Sequence, residues 1–134
     1  MKSVSFVDTS AWYSCLVSSE SRHPVALGWL NSNSESLITT DYVIDETLTL
    51  LRVRGHNRAA IEFGRMMFEE SWALIHHVDA DDVRKAWKVF EKFADKEWSF
   101  TDCVSKVVMD RLELKQAFAF DHHFRQFGVV TVPK

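Results

Sequence analysis

Hydrophobic residues in this chain follow two alternating patterns. Short apolar runs such as SVSFVD (residues 3–8), SLITT (36–40) and ALIHHV (73–78) have the length and β-branched content of strands. Two further strands are predicted at QAFAFD (116–121) and GVVTVP (128–133). Between these runs, apolar residues recur every three or four positions, as in amphipathic helices. Because strands alternate with helices, the pattern predicts an α/β domain with a largely parallel sheet.

The helical segments carry recognisable start and stop signals. Residues 41–55, DYVIDETLTLLRVRG, form the clearest helix, in which Asp41 is the expected N-cap and Gly55 the expected stop. Residues 57–70 continue the helical spacing directly afterwards, which predicts a helical hairpin. A further helix is predicted at 80–94, and its apolar face would carry Val83, Trp87, Phe90 and Ala94.

Length and composition limit the classes of protein to consider. The 134 residues contain no Pro-, Gly- or Ser-rich stretch, which predicts a single domain spanning residues 1–134. A net charge of −3 argues against a protein that coats nucleic acid by bulk attraction. The N-terminal MKSVSFVDTSAW resembles neither a signal sequence nor a membrane span, so we expect a cytoplasmic protein without membrane association. Cys15 and Cys103 lie far apart in apolar segments, which favours reduced, buried thiols.

Two aspartates close predicted strands. Asp8 ends the first strand and Asp121 ends the fourth. Ligands of open parallel sheets bind beyond the C-terminal ends of the strands, so both carboxylates would enter one crevice if these strands are neighbours. Each aspartate is also placed to cap the helical turn that follows it, and for either one alone the cap is the simpler interpretation.

Two more acids are candidates for the same crevice. Ser99 and Asp102 have the S-x-x-D spacing of a capping box, and the helix dipole at such a start favours negative charge. Capping and ligand binding are compatible roles for Asp102. Glu46 lies at the border of the apolar face of its helix, whereas Asp45 points to solvent. Glu46 therefore either extends to water or reaches into the crevice.

Three or four carboxylates in one crevice need a compensating charge. Like charges repel and raise one another's pKa values, and a divalent cation removes that cost. Mg²⁺ and Mn²⁺ take oxygen ligands from a few carboxylates and from substrate phosphates. Such a site suits phosphodiester hydrolysis, because the metal activates water and stabilises the leaving oxygen.

Four motifs carry a family resemblance that covers nearly the whole chain. FVDTSAW, DYVIDETLTLLR, DKEWSFTDCVS and AFAFDHHFRQFG resemble the acidic motifs of PIN-domain ribonucleases, and especially of the VapC toxins of VapBC toxin–antitoxin pairs. The resemblance implies a three-layer α/β/α fold with a mostly parallel sheet of about five strands. It also implies an Mg²⁺- or Mn²⁺-dependent endoribonuclease that cleaves structured RNA such as tRNA or rRNA, forms a homodimer and is neutralised by a VapB-type antitoxin.

The resemblance assigns roles to single residues as well. It implies metal binding and catalysis by Asp8, Glu46, Asp102 and Asp121. It implies supporting hydrogen bonds from Thr9, Ser10 and Ser99. Apart from the resemblance, basic residues near these acids are candidates for contacts with RNA phosphates, although each also suits a solvated face: Arg52, Arg54, Lys96, Lys106 and His122.

Two histidine pairs are less informative. His122–His123 adjoins Asp121 at the expected mouth of the crevice, where a surface pair is the simpler interpretation. His76–His77 lies in a predicted strand and lacks cysteine or acid partners at the spacing of a zinc site. We therefore interpret this second pair as part of a strand edge.

Three alternative functions remain open from the sequence. A PIN-like RNA-processing nuclease that is not a toxin would carry the same acids. A phosphatase of the haloacid-dehalogenase type also places an aspartate after its first strand, but it requires D-x-D where this chain has Asp8-Thr9-Ser10. A non-catalytic protein-binding module would keep the fold without cleaving RNA.

Overall fold

The computed structural model describes residues 3–134, and within that range five strands alternate with seven helices. The strands are β1 (Val4–Val7), β2 (Ser36–Thr40), β3 (Leu74–His76), β4 (Gln116–Phe118) and β5 (Val130–Val132). The helices are α1 (Thr9–Leu16), α2 (His23–Ser32), α3 (Asp41–Val53), α4 (Asn57–Phe68), α5 (Ala80–Lys92), α6 (Phe100–Arg111) and α7 (His123–Gln126).

The strands form one parallel sheet in the order β3-β2-β1-β4-β5. On the central strand, Phe6 lies opposite Ile38 of β2 and Ala117 of β4. Because the strand order runs outward from β1 in both directions, right-handed crossovers place helices on both faces of the sheet. This confirms the predicted three-layer α/β/α fold. It also makes β1 and β4 neighbours whose C-terminal ends open on the same edge.

The central strand is held by large buried side chains. Phe6 is fully buried and stacks against Phe124, with ring centroids 6.1 Å apart. Trp12 of α1 is also fully buried and packs against Phe63 of α4. Each such burial contributes about 1.5–3 kcal/mol to the free energy of folding. The segment that carries Asp8 is therefore rigidly positioned.

The ends of α3 differ in how well the sequence predicts them. The N-cap is Thr40, whose hydroxyl accepts the Val43 N–H at 3.1 Å, so the prediction of Asp41 as N-cap is wrong. Asp41 is the first helical residue, and its carboxylate accepts the backbone N–H of Val78 at 2.9 Å. Gly55 follows the last turn with φ +82°, the left-handed conformation that commonly terminates helices, which confirms the predicted stop.

The apolar face predicted for α5 is only partly buried. Trp87 is 52% exposed and Phe90 is 41% exposed, whereas Asp82 is fully buried. Hydrogen bonds from His76 and Arg111 hold the Asp82 carboxylate inside and turn its face of the helix inward. The predicted apolar face is therefore wrong for the two aromatic residues, and also for Ala94, which is exposed and lies beyond the end of α5 at Lys92. The buried carboxylate of Asp82 gives no signal in a pattern of apolar residues.

Strand β4 is shorter than predicted. It ends at Phe118, so Asp121 lies three residues beyond the strand and not at its last position. The intervening segment stays attached to the sheet, because Ala119 N–H donates to the Val132 carbonyl at 3.2 Å. Asp8, by contrast, directly follows β1, and its N–H donates to the Phe118 carbonyl at 3.1 Å.

The cysteines are free and buried, which confirms the sequence interpretation. Burial raises the pKa of the Cys15 thiol to about 12 and that of Cys103 to about 11. Among the helices of residues 3–134, none combines the length and the hydropathy needed to cross a bilayer.

Candidate active site

Asp8 lies where the central strand passes into α1. Its Oδ2 accepts the Ser10 N–H at 3.1 Å and the Ser10 hydroxyl at 2.7 Å, so Asp8 is the N-cap of α1. Only 3% of the residue is exposed, and Oδ1 has no hydrogen-bond partner within residues 3–134. Burial raises the pKa of Asp8 to about 7, against the Ser10 hydrogen bonds and with help from the charges of Asp102 and Glu46.

Ser10 connects the ends of β1 and β4. Its hydroxyl donates to Asp8 and accepts the backbone N–H groups of Phe120 at 3.0 Å and Asp121 at 3.3 Å. The Asp121 carboxylate accepts the N–H of His123 at 3.0 Å, which is the capping role predicted for it. One hydroxyl therefore fixes the loop of Asp121 against the end of the central strand.

Glu46 reaches the same edge because of the helical phase of α3. Glu46 is half-buried, whereas Asp45 is exposed. Burial raises the pKa of Glu46, the neighbouring Thr9 side chain lowers it, and the charges of Asp102 and Asp121 raise it further. Glu46 thus lies close enough to Asp102 and Asp121 for their charges to affect it, while part of the residue remains exposed.

Asp102 is the third residue of α6 and belongs to the predicted capping box. Its N–H donates to the Ser99 hydroxyl at 3.0 Å, and its Oδ2 accepts the Ser99 N–H at 3.1 Å. The same Oδ2 lies 2.9 Å from Nδ1 of His123. Burial raises the pKa of Asp102, the bonds from His123 and Ser99 lower it, and the Asp121 charge raises it again. The net result is a raised pKa, so the capping hydrogen bonds do not compensate the negative charge of Asp102.

His123 is the site residue that the sequence interpretation missed. Its ring is 13% exposed, and its Nδ1 lies 2.9 Å from Asp102 Oδ2 and 3.1 Å from Asp121 Oδ1. His122, the sequence-based candidate for RNA contact, is 69% exposed, with its Nδ1 3.8 Å from Asp121 Oδ1. The pair is therefore not a simple surface pair. The local spacing explains only that the chain turns back toward Asp121 at His123, whereas the contact with Asp102, 21 residues earlier, has no signal in the sequence.

The other histidine pair belongs to a different network. His76 ends the edge strand β3, as the strand-edge interpretation predicted. Its Nε2 also lies 2.9 Å from Oδ2 of the buried Asp82, a single carboxylate partner and not a zinc-type ligand set. Arg111 of α6 donates to Asp82 Oδ1 at 2.7 Å. The partners meet only in the folded chain and form an ion-paired contact.

The family of the chain follows from its relatives. The profile of the PIN domain family matches residues 5–130. The 23S rRNA-specific endonuclease VapC20 of Mycobacterium tuberculosis is 33% identical over 127 residues, which are 95% of this chain and 96% of that protein. This chain belongs to the PIN-domain family and, within it, to the VapC ribonuclease toxins. The predicted family is thereby confirmed.

Other comparisons agree with this VapC assignment. The crystal structure of M. tuberculosis VapC20, called a sarcin-ricin loop cleaving toxin, matches with a TM-score of 0.89 at 32% identity, covering 96% of this chain and 97% of VapC20. A VapC ribonuclease of Archaeoglobus fulgidus is 35% identical over 89 residues, 66% of this chain and 55% of that protein. FitAcB of Neisseria gonorrhoeae, at 13% identity and a TM-score of 0.65, shares the fold over 97% of this chain and 96% of its own.

The two predicted RNA-binding arginines of this VapC chain lie toward the C-terminal end of α3. Arg52 donates to the side chain of Asn57 at 3.1 Å, within the α3–α4 hairpin. The Arg54 guanidinium lies over the Tyr13 ring, 5.0 Å from its centroid. Neither contact involves an acid of the crevice.

The two predicted RNA-binding lysines differ in their distance from the acids. Lys106 donates to Asp110 at 2.9 Å, one turn further along α6. Lys96 lies 3.9 Å from Asp95 and lines a small open cavity of about 270 Å³ together with His122 and His123. Lys96 is thus the lysine that adjoins the mouth of the crevice.

The acids of this PIN domain have the donor set of a divalent-cation site. The raised pKa values of Asp8, Glu46 and Asp102 show that their negative charge is not compensated. Within the described chain, these acids and Asp121 receive hydrogen bonds from hydroxyls, backbone N–H groups and His123, and from no lysine or arginine. The buried Asp8 Oδ1 has no partner there and is available to a ligand. Oxygen donors of this kind fit Mg²⁺ or Mn²⁺.

Proposed function

We propose that this VapC-family chain, as one PIN domain spanning residues 1–134, is a metal-dependent endoribonuclease toxin. The observation that carries the proposal is the convergence of carboxylates around Asp8, whose buried Oδ1 has no partner within residues 3–134. A cation there would offset the burial and the mutual repulsion that raise the pKa values of these acids. We assign metal binding and catalysis to Asp8, Glu46, Asp102 and Asp121.

Hydrogen bonds position the carboxylates before any ligand arrives. Each supporting group is itself fixed by a helix cap or a strand end, so the acids are set in place as the sheet and helices form. The expected gain is a lower cost of ordering the site when a cation binds. We assign these supporting roles to Ser10 for Asp8 and for the Asp121 loop, to Ser99 for Asp102, and to Thr9, which neighbours Glu46.

The chemistry divides between the ion and the protein. A bound Mg²⁺ or Mn²⁺ would act as a Lewis acid that makes an attacking water more acidic and offsets charge on the phosphate. His123 holds two of the carboxylates in a common orientation, at 2.9 and 3.1 Å. Lys96 and His122, at the mouth, are placed to bind RNA phosphates. We propose that Arg52, Arg54 and Lys106 contact RNA phosphates farther from the acids.

We infer that the substrate is structured RNA. The chain has a net charge of −3 and gains little from bulk attraction to a polyanion, so recognition must rest on the shape of a folded RNA. VapC20, 33% identical, is named as 23S rRNA-specific, and its crystal structure as sarcin-ricin loop cleaving. We therefore favour a loop of large-subunit ribosomal RNA, with tRNA as the alternative.

Cleavage assays with purified, metal-stripped protein test the nuclease proposal. Ribosomes and, separately, tRNA are incubated with the protein, with and without Mn²⁺. We expect Mn²⁺-dependent cutting of ribosomal RNA at one or a few positions. Glu46→Gln should abolish cleavage, whereas the matched control Asp45→Asn, one residue away and facing solvent, should retain it. Metal-independent cutting, or equal loss in both variants, would contradict the assignment.

Growth assays test the partners. We propose a cytoplasmic homodimer neutralised by a VapB-type antitoxin, as VapC family membership suggests. Expression of the chain alone should arrest a bacterial host, and co-expression of the small open reading frame next to its gene should restore growth. Normal growth with verified soluble protein would favour the non-toxin nuclease. Gel filtration with light scattering measures the molar mass in solution and so tests whether the protein is a dimer.

A further inference from the structure

Two polar contacts join the short helix α7 to the start of α6. His123 and Gln126 are three residues apart and therefore lie on the same side of α7. Nδ1 of His123 lies 2.9 Å from Oδ2 of Asp102, and Oε1 of Gln126 accepts the indole N–H of Trp98 at 2.6 Å. Trp98 directly precedes Ser99, the N-cap of α6. Both contacts thus connect the same two elements, one inside the crevice and one beside it.

Helix α7 is too short to hold its own position. It has four residues, and a single helical turn is unstable without tertiary contacts. Aromatic rings anchor its other side, because the fully buried Phe124 stacks against Phe6 and Phe127 packs against Trp98 with ring centroids 4.9 Å apart. Apolar contacts of this kind are not directional. The hydrogen bond at Gln126 therefore adds the directional restraint on how α7 is turned.

We propose that Trp98 and Gln126 are positioning residues of the nuclease centre. Their hydrogen bond sets the orientation of α7 and so holds His123 against Asp102 and Asp121, at 2.9 and 3.1 Å. The inference deepens the nuclease function proposed above and rests on it. Neither Trp98 nor Gln126 contacts an acid of the crevice through this bond, so both act through His123.

Trp98 provides a fixed donor, whereas Gln126 is free to adapt. Trp98 is only 6% exposed, and its ring packs against Phe93 as well as Phe127, with centroids 4.9 Å apart in each case. A buried indole N–H needs an acceptor, and Gln126 supplies it. Because Gln126 is itself exposed, its loss would leave the core intact and release only the orientation of α7. A shift of about 1 Å in a catalytic group can cost up to roughly a hundredfold in rate.

Two glutamine-to-methionine variants test the proposal. Gln126→Met keeps the length of the side chain and removes the acceptor oxygen. Gln116→Met is the matched control, because Gln116 donates to the Ser5 hydroxyl at 2.7 Å where β4 and β1 begin, at the sheet edge opposite the acids. At saturating RNA and Mn²⁺, Gln126→Met should cleave about ten- to a hundredfold more slowly, with the KM for RNA changed by less than about threefold. The control should retain the wild-type rate, and so should Gln126→Glu, which keeps an acceptor.

Nuclear magnetic resonance of the metal-free protein gives a measurement that does not depend on cleavage. In Gln126→Met, the ring signals of His123 should shift and the Trp98 indole N–H should exchange faster with solvent, while Gln116→Met and Gln126→Glu keep both wild-type signatures. Unshifted His123 signals with a wild-type rate in Gln126→Met would overturn the proposal, as would an equal loss of rate in Gln116→Met. Displaced His123 signals with unaltered cleavage would overturn the positioning role alone. Absence of cleavage by wild type would overturn the nuclease proposal itself.

Discussion

Helices α5 and α6 start with the same local structure but in opposite electrostatic surroundings. Each begins with a capping box whose third helical residue is a buried aspartate, Asp82 in α5 and Asp102 in α6. Each aspartate also has a histidine nitrogen 2.9 Å from its Oδ2, from His76 and His123 respectively. Judged by the cap alone, the two carboxylates are equivalent.

The difference lies in the groups beyond the cap. Burial raises the pKa of Asp82, but hydrogen bonds from His76 and Arg111 outweigh it and lower the pKa to about 2. Asp102 faces Asp121 and lacks an arginine or lysine partner within residues 3–134, and its pKa is raised. The α5 start is a neutralised, structural contact. The α6 start keeps an uncompensated charge, which is what a cation site requires.

The largest expected effect is on catalysis. Asp102→Asn should reduce Mn²⁺-dependent RNA cleavage by at least about a thousandfold, because it removes a charged ligand from the site. Asp82→Asn, the same substitution at the matched position, should retain wild-type activity per folded molecule. Single-turnover cleavage rates, corrected for the folded fraction, distinguish the two. Comparable losses would mean that both aspartates act only through helix stability.

The pH dependence of stability should have opposite signs for the two kinds of acid. The pKa of Asp8 is about 7 in the folded protein, whereas the ordinary value of 3.8 applies to the unfolded chain. Between these two pH values, the folded state therefore binds more protons than the unfolded state. Metal-free stability should therefore fall as pH rises from about 4 to 7, by at most about 4 kcal/mol. The lowered pKa of Asp82 instead stabilises the fold above about pH 4, and that contribution is lost toward pH 2.

Thermal melting of the metal-free protein across this pH range checks both signs. Asp8→Asn should flatten the decline between pH 4 and 7, and Asp82→Asn should flatten the loss at acid pH. A wild-type protein that gains stability from pH 5 to 7 would contradict the account of Asp8.

The free energy of unfolding of the metal-free protein should again distinguish Asp82 from Asp102. Asp82→Asn should lower the free energy of unfolding by about 2–3 kcal/mol, because Arg111 and His76 lose their charged partner while Arg111 keeps some access to solvent. Asp102→Asn should change it by less than about 1 kcal/mol or raise it, since asparagine still accepts at the helix start and the other acids repel less. A reversed ranking in urea titrations would refute this comparison.

The smallest effect is expected at the cap itself. Ser99→Ala removes the hydroxyl that accepts the Asp102 N–H and should cost about 1 kcal/mol. The Ser99 backbone N–H still donates to Asp102 Oδ2 in this variant, so the carboxylate keeps its orientation. Cleavage should therefore fall by no more than about threefold, which is roughly the effect of 0.65 kcal/mol on a barrier. A loss as large as that of Asp102→Asn would show that the hydroxyl has a direct role.

The sequence predicts those parts of the fold and site that depend on local pattern. Strand and helix order, the acid after β1, the Ser99–Asp102 box and the phase of Glu46 all follow from residues within a few positions of one another. The N-cap of α3 is an exception to this rule. Thr40 caps the helix in place of Asp41, because the Asp41 carboxylate accepts a hydrogen bond from Val78, 37 residues away.

What the sequence could not predict depends on distant partners. Asp82 is buried because Arg111, 29 residues later, meets it, and this contact also turns the aromatic residues of α5 outward. His123 enters the crevice because Asp102, 21 residues earlier, accepts from its ring. Such pairings are set by tertiary packing, so no spacing rule along the chain reveals which of two similar aspartates is neutralised.

The most direct test of the central claim is the shift in melting temperature that Mn²⁺ produces in three proteins. A cation that binds only the folded state raises its stability in proportion to its affinity. Wild type and Asp82→Asn should gain equally from saturating Mn²⁺, because the α5 start lies outside the site. Asp102→Asn should gain much less. If Asp102→Asn gains as much as wild type, the carboxylate at the start of α6 is only a cap, and the assignment of a metal-dependent nuclease centre to this crevice fails.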